Sequence, residues 1–204
     1  MTTIRCLLVI SIAFLLPISL YGEENHSWEF AAAANLYVLP DQTYLNPIIS
    51  ADKSHLHLEA RYNYEDLDTG SIFAGYNFRT GDAFELKVTP IMGGVFGNSN
   101  GIAPGFLLDL SYRKWSFSSE DEYFFSSDTK ESNFFYSWSE IIYSPADWIW
   151  FGAAGQRTRA FKTDLEIQRG FLLGFGVRSF AVTGYLMNPG GEDPFGVISL
   201  EYTF

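Results

Sequence analysis

The sequence predicts an all-β chain, a transmembrane antiparallel up-and-down β-barrel of about twelve strands. Three observations carry that expectation. Apolar and polar residues alternate with period two in segment after segment, as they do in strands with two unlike faces. Turn residues separate these segments at spacings too short for a crossover helix, so neighbours pair antiparallel. The charged residues of the regular segments fall on one side of the alternation, the side that a polar interior tolerates and hydrocarbon does not.

The strands are expected near 27–39, 43–52, 55–65, 70–79, 83–97, 101–113, 115–126, 132–143, 147–159, 164–177, 179–188 and 194–204. The first carries Trp28 and Tyr37 toward its two ends. The third is the clearest: Leu56, Leu58, Ala60, Tyr62 and Tyr64 alternate with His57, Glu59, Arg61, Asn63 and Glu65. In the fourth, Ile72, Ala74, Tyr76 and Phe78 oppose Ser71, Gly75, Asn77 and Arg79, and Phe73 breaks the polar side. In the fifth, Phe84, Leu86 and Val88 oppose Glu85, Lys87 and Thr89. In the sixth, Ile102, Phe106, Leu108, Leu110 and Tyr112 oppose Gly105, Asp109, Ser111 and Arg113.

The next segments are less regular. In 115–126, Glu120 and Glu122 face inward, which turns Asp121 toward lipid. Segment 132–143 admits two registers. The one with Tyr136, Trp138 and Glu140 inside is preferred, because a carboxylate is cheaper in the lumen than against lipid. In 147–159, Arg157 is expected inside, which sends Trp148, Trp150, Ala154 and Gln156 outward. The last segment sets Ile198, Leu200, Tyr202 and Phe204 against Ser199, Glu201 and Thr203. The irregular stretches leave ten strands as the fallback count.

Composition narrows the function classes. A length of 204 residues suits one domain. The 13 Lys and Arg face 24 Asp and Glu, for a net charge of −11, which repels phosphate backbones and argues against a nucleic-acid partner. The aromatic share is 18%, with 18 Gly; rings near strand ends suit the girdles of a membrane barrel. The single cysteine, Cys6, leaves no disulfide framework or CxxC site. Residues 1–22 read as a signal peptide: Arg5, an apolar run from Cys6 to Leu16, then Pro17 and Gly22. The barrel is then 23–204.

The final segment, FGVISLEYTF over 195–204, resembles the terminal strand of bacterial (Gram-negative) outer-membrane β-barrel proteins, with Ile198, Leu200, Tyr202 and Phe204 at alternate positions. That resemblance implies residence in the cell outer membrane and recognition of those four residues by the barrel-assembly machinery. It also implies a wall in contact with outer-membrane lipid and lipopolysaccharide, and both termini on the periplasmic side. It extends to the class and to no narrower family.

The residues expected to line the lumen are Glu59, Arg61, Glu65, Arg79, Glu85, Lys87, Asp109, Glu120, Tyr136, Trp138, Glu140, Arg157 and Glu201. Two readings stay open. The charges border a narrow channel for small polar or charged solutes, or they pair across the lumen and close a structural barrel without transport. A lipid-modifying enzyme is the third reading, and it needs a nucleophile and base at the outer rim. The three histidines, His26, His55 and His57, all fall at the expected periplasmic end, so no triad is built there. His55, His57 and Glu59 share metal-ligand spacing, but ordinary inward polar residues beside a turn explain them better. No nucleotide, zinc-protease or hydrolase motif occurs. No enzyme, cofactor or metal is therefore expected, and the barrel is expected to be a monomer.

Overall fold

The computed structural model describes residues 27–160, 166–191 and 193–204; the signal-peptide reading of 1–22 lies outside them. Twelve strands follow one another in chain order. They are β1 (Glu29–Val38), β2 (Thr43–Lys53), β3 (Leu56–Tyr62), β4 (Thr69–Tyr76, continued by Phe78–Thr80), β5 (Phe84–Gly97) and β6 (Gly101–Tyr112). Then come β7 (Trp115–Ser126), β8 (Phe134–Ala146), β9 (Ile149–Ala160), β10 (Glu166–Val177), β11 (Phe180–Met187) and β12 (Phe195–Thr203). A 3-10 turn, Lys130–Ser132, sits in the loop between β7 and β8. Each strand pairs antiparallel with the next, and β1 pairs with β12 in the register Ala34↔Leu200 and Leu36↔Ile198. The sheet therefore closes, which removes the exposed edges that would template aggregation.

The break in β4 falls at Asn77, and both pieces pair with β5. The Asn77 amide donates to Asp52 at 2.6 Å and its carbonyl accepts from Thr89 at 2.7 Å. The kink thus satisfies a fully buried amide rather than leaving it orphaned. Turns at the end that carries both chain termini are tight, with positive φ at Ser54, Arg113 and Arg178. Longer connections lie at the opposite end, the arrangement of periplasmic turns and outer loops in bacterial barrels.

The two faces are inverted relative to a water-soluble sandwich. Ile49, Ile72 and Phe171 point outward at 59%, 60% and 66% exposure, while Asn46, Arg61, Thr89, Glu122 and Thr183 are buried. A continuous apolar exterior of this extent is rare in soluble monomers; it is the lipid-facing wall of a transmembrane barrel. Asp121 turns outward, opposite Phe106 and Ser137, where the Ser119 hydroxyl donates to it at 2.8 Å.

The expected face of Arg157 is corrected. Arg157 pairs with Ser137 on β8 and Ile167 on β10, on the outward face, and Gln156 points inward in its place. Trp150 decides the parity. Its indole lies over Gly174, where a Cβ would collide with the ring, and donates to Thr183 at 3.2 Å. An inward residue 150 makes every even position of β9 inward, so Ala154 joins the interior and 157 faces out. The register shift between β8 and β9 at Ile149/Phe151 seats this arrangement past the turn. Arg157 lies toward the outer end of the barrel, where the cost of a cation against lipid falls from roughly 2–4 kcal/mol at mid-bilayer to about 0–1 kcal/mol.

Candidate functional site: the barrel interior

Alternation delivers the inward side chains of the strands. Because β3 starts with Leu56 outward, His57, Glu59 and Arg61 follow one above another on the inner face. The pairings Lys87↔Asp109 and Glu85↔Ser111 put those groups inside on β5 and β6. Ser118↔Glu140, Glu120↔Trp138 and Glu122↔Tyr136 do the same for β7 and β8. Ala33↔Glu201 places the last carboxylate. Glu59, Arg61, Glu65, Arg79, Glu85, Lys87, Asp109, Glu120, Tyr136, Trp138, Glu140 and Glu201 therefore all border the interior, and Arg157 does not.

Arg61 is the centre of the site. From β3 its guanidinium reaches Glu59 on its own strand, then crosses the lumen to Glu120 at 2.6 Å and Glu122 at 3.1 Å on β7. Its planar cation is also sandwiched between rings, 4.3 Å from the centroid of Tyr64 and 4.2 Å from that of Phe73. Both contacts favour guanidinium over ammonium, because only a planar, weakly hydrated cation stacks and pairs at once. Glu65, in the loop after β3, is buried near the same group, and that burial raises its carboxyl above the ordinary carboxylate range.

Toward the termini the interior opens. Arg79, Glu85, Lys87, Asp109 and Ser111 surround a cavity of about 370 Å³. Asp52 bridges this mouth to the next layer, 3.1 Å from His57 Nδ1 and 3.9 Å from Lys87 Nζ. A second cavity, about 180 Å³, lies among Asn35, Tyr64, Glu120, Tyr136, Glu140 and Glu201. Its walls are fixed by the Trp138 indole, which donates to Glu140 at 2.6 Å, and by Ser199, which donates to Glu201 at 3.1 Å.

Apolar packing fills the remaining arcs. Phe73, Ile91, Val95, Ala103 and Phe124 form one cluster along β4–β7, with Leu107 and Phe134 against it. Ala154, Leu172, Met187, Phe195 and Val197 form another along β9–β12, with Trp138 and Trp150 beside it. Phe73, the residue that interrupts the polar face of its segment, is thus a lumen plug. Tyr64, read with the outward set of its strand, lies in the loop and folds inward onto Arg61 and Tyr136. Asp52, His57, Asn77 and Glu122 complete the polar interior. His57, Asn77 and Glu122 already fall on the polar side of their segments' alternation in the sequence; Asp52 carries no such signal.

His55 does not join His57. Its ring stacks on Tyr76 at 4.9 Å and its Nδ1 lies 2.9 Å from the Asn77 carbonyl, whereas His57 is held by Asp52 and Glu59. The spacing that suggested a metal site therefore does not converge. Among the described residues no group of three His, Cys, Asp or Glu is placed to hold a metal.

A closed twelve-stranded antiparallel barrel with an apolar wall and an ionic interior has the architecture of outer-membrane β-barrel porins. The comparison with solved structures gives the same fold. The KdgM porin superposes with a TM-score of 0.66 at 13% identity, covering 85% of this chain and 99% of that one. The KdgM porin in complex with disordered oligogalacturonate gives 0.65 at 11% identity, with the same coverage. The outer membrane protein Omp33 of Acinetobacter baumannii gives 0.48 at 9% identity over 89% of this chain. No protein-family model and no curated protein matches the sequence.

Proposed function

We propose that this protein is an outer-membrane channel for small polar solutes, with a preference for neutral and cationic ones. The observation that carries the reading is the sign of the inward face. Asp52, Glu59, Glu85, Asp109, Glu120, Glu122, Glu140 and Glu201 stand against Arg61, Arg79 and Lys87. A ring of carboxylates in a narrow, low-dielectric path raises the local concentration of cations and excludes anions. The oligogalacturonate in complex with the KdgM porin is a polyanion, and this lining disfavours it. The charged mouth and the cavity beside Glu140 and Glu201 supply a polar route as far as the Arg61 bridge. That bridge crosses the path from β3 to β7.

Recording the refolded protein in planar bilayers under a salt gradient tests this. Stepwise currents with a cation-selective reversal potential are expected. Lys87→Glu, at the open mouth, should strengthen the cation preference about sevenfold. One charge ~7 Å from the path in water is worth ~0.6 kcal/mol, and the substitution reverses it. An unchanged reversal potential would place Lys87 off the path.

The Arg61 bridge itself supports a second reading, a closed structural barrel. Three carboxylates converge on one guanidinium that spans β3 to β7, and packed rings cover it on both sides. Under that reading bilayers holding inserted protein stay silent at every salt concentration. Neither reading calls for a catalytic group.

A further inference from the structure

The interior cavity beside Glu140 and Glu201 is built of two layers, one aromatic and one acidic. Its volume is about 180 Å³, below the ~300–1,000 Å³ of drug-sized ligand sites, so its occupant is small. Tyr37 on β1 and Tyr185 on β11 both pair with Val197 of β12, which sets them at one level on either side of that strand. Tyr136 and Trp138 line the same cavity from β8, and the Trp138 ring meets Tyr185 edge-on with centroids 5.6 Å apart. Toward the chain termini, alternation places Glu140 one inward step beyond Trp138 on β8 and Glu201 two inward steps beyond Val197 on β12.

The carboxylates decide the sign of the occupant. Glu120, at the edge of the cavity, is taken by Arg61, and that guanidinium is already faced by three carboxylates. Glu140 and Glu201 form no ion pair with any described residue, and no Lys, Arg or His is among the residues lining the cavity. Glu140 accepts from the Trp138 indole and Glu201 from the Ser199 hydroxyl, which fixes both groups and leaves their charge uncompensated. The rings then decide which cation. A metal ion asks for roughly six or more oxygen ligands, and among the described residues no three carboxylates or histidines converge to hold one. A primary ammonium brings three N–H donors into a wall that includes the apolar Ala33, Ile48 and Val197, where unpaired donors are costly. A methylated ammonium carries its charge behind methyl groups that pack against aromatic rings. A neutral sugar would use the rings but leave both carboxylates unanswered.

We infer that this cavity is a binding site for small methylated ammonium compounds, with the cation beside Glu140 and Glu201 and its methyl groups against Tyr37, Trp138 and Tyr185. The inference rests on the channel reading for its route of entry and gives that channel a substrate class. Occupancy of the site does not itself require that current flows.

Saturation-transfer NMR on the refolded protein in detergent tests it, with choline, its neutral tert-butyl isostere, ethanolamine and glucose as probes, and planar bilayers receive the same compounds. Choline should bind saturably and interrupt the potassium current in proportion to occupancy. The isostere, ethanolamine and glucose should each bind about tenfold more weakly. The Glu140→Gln/Glu201→Gln double variant should lose about tenfold in choline affinity and leave the isostere unchanged, whereas Tyr185→Leu should weaken both. Choline bound no tighter than its isostere, or held at wild-type affinity by the double variant, would overturn the site. Equal binding of ethanolamine would overturn the methylated class, and tighter binding of glucose would make the cavity a sugar site instead. A potassium current with no choline block and no binding marks failure of the site while the channel stands. Silent bilayers with choline bound in detergent mark failure of the channel while the site stands. Heat-modifiable gel migration reports folding of each variant; if Tyr185→Leu does not fold, the isosteric Gln pair decides.

Discussion

Arg61→Ala is expected to remove about 3–5 kcal/mol of unfolding free energy, the cost of stripping one partner from a buried ionic cluster. The loss is large because Arg61 is shared. Glu59, Glu120 and Glu122 all lean on its guanidinium, so its removal leaves like charges crowded in the barrel interior. The stacking on Tyr64 and Phe73 goes with it. Urea titration of the vesicle-inserted barrel, read by heat-modifiable migration, measures the effect. The Arg61→Ala/Glu122→Gln double variant should recover part of the loss, because it removes one of the repelling charges. A single variant as stable as wild type, or a double variant worse than the single by the full cost of both, would show that the cluster is hydrated and the lumen open at this level. The same experiment bears on transport, since Arg61 spans the path. A bridge that contributes this much to stability does not open without a compensating contact.

The architecture was legible because alternation is a local property. Any five residues of 56–62 or 84–89 state which face is which, and most of the inward list follows from such alternation. What was not legible depended on contacts between distant strands. The face of Arg157 is set by Trp150, whose slot exists only because β10 brings Gly174 opposite it; charge alone pulled the assignment the wrong way. The inward turn of Tyr64 depends on the loop after β3 leaving strand geometry, with positive φ at Asn63 and Asp68. The partners of Arg61 lie 59 and 61 residues away on β7, at Glu120 and Glu122, and no spacing rule reaches that far. Phe73 was visible as an exception to the polar face, but its role as a plug required knowing that Gly93 stands beside it.

That last contact supplies the sharpest test of the two faces. Gly93 and Gly94 are adjacent on β5, yet their environments are opposite. A Cβ on Gly93 would overlap the Phe73 ring, which is fully buried and stacked on Arg61; a Cβ on Gly94 meets nothing within 4 Å. Gly93→Val should therefore destabilise the barrel by about 1–3 kcal/mol through overpacking. It should also loosen the Arg61 cluster, because Phe73 has nowhere to move except against the guanidinium. Gly94→Val should be neutral, or stabilising by up to about 0.5–1 kcal/mol, since a β-branched residue replaces the most flexible one in a strand and its methyls enter lipid. The pair shares strand, depth and chemistry, so the difference isolates orientation alone. Equal losses from the two substitutions, in the same urea titration, would mean that the wall facing Gly94 is packed against protein, and the assignment of lipid to that side would fall with it.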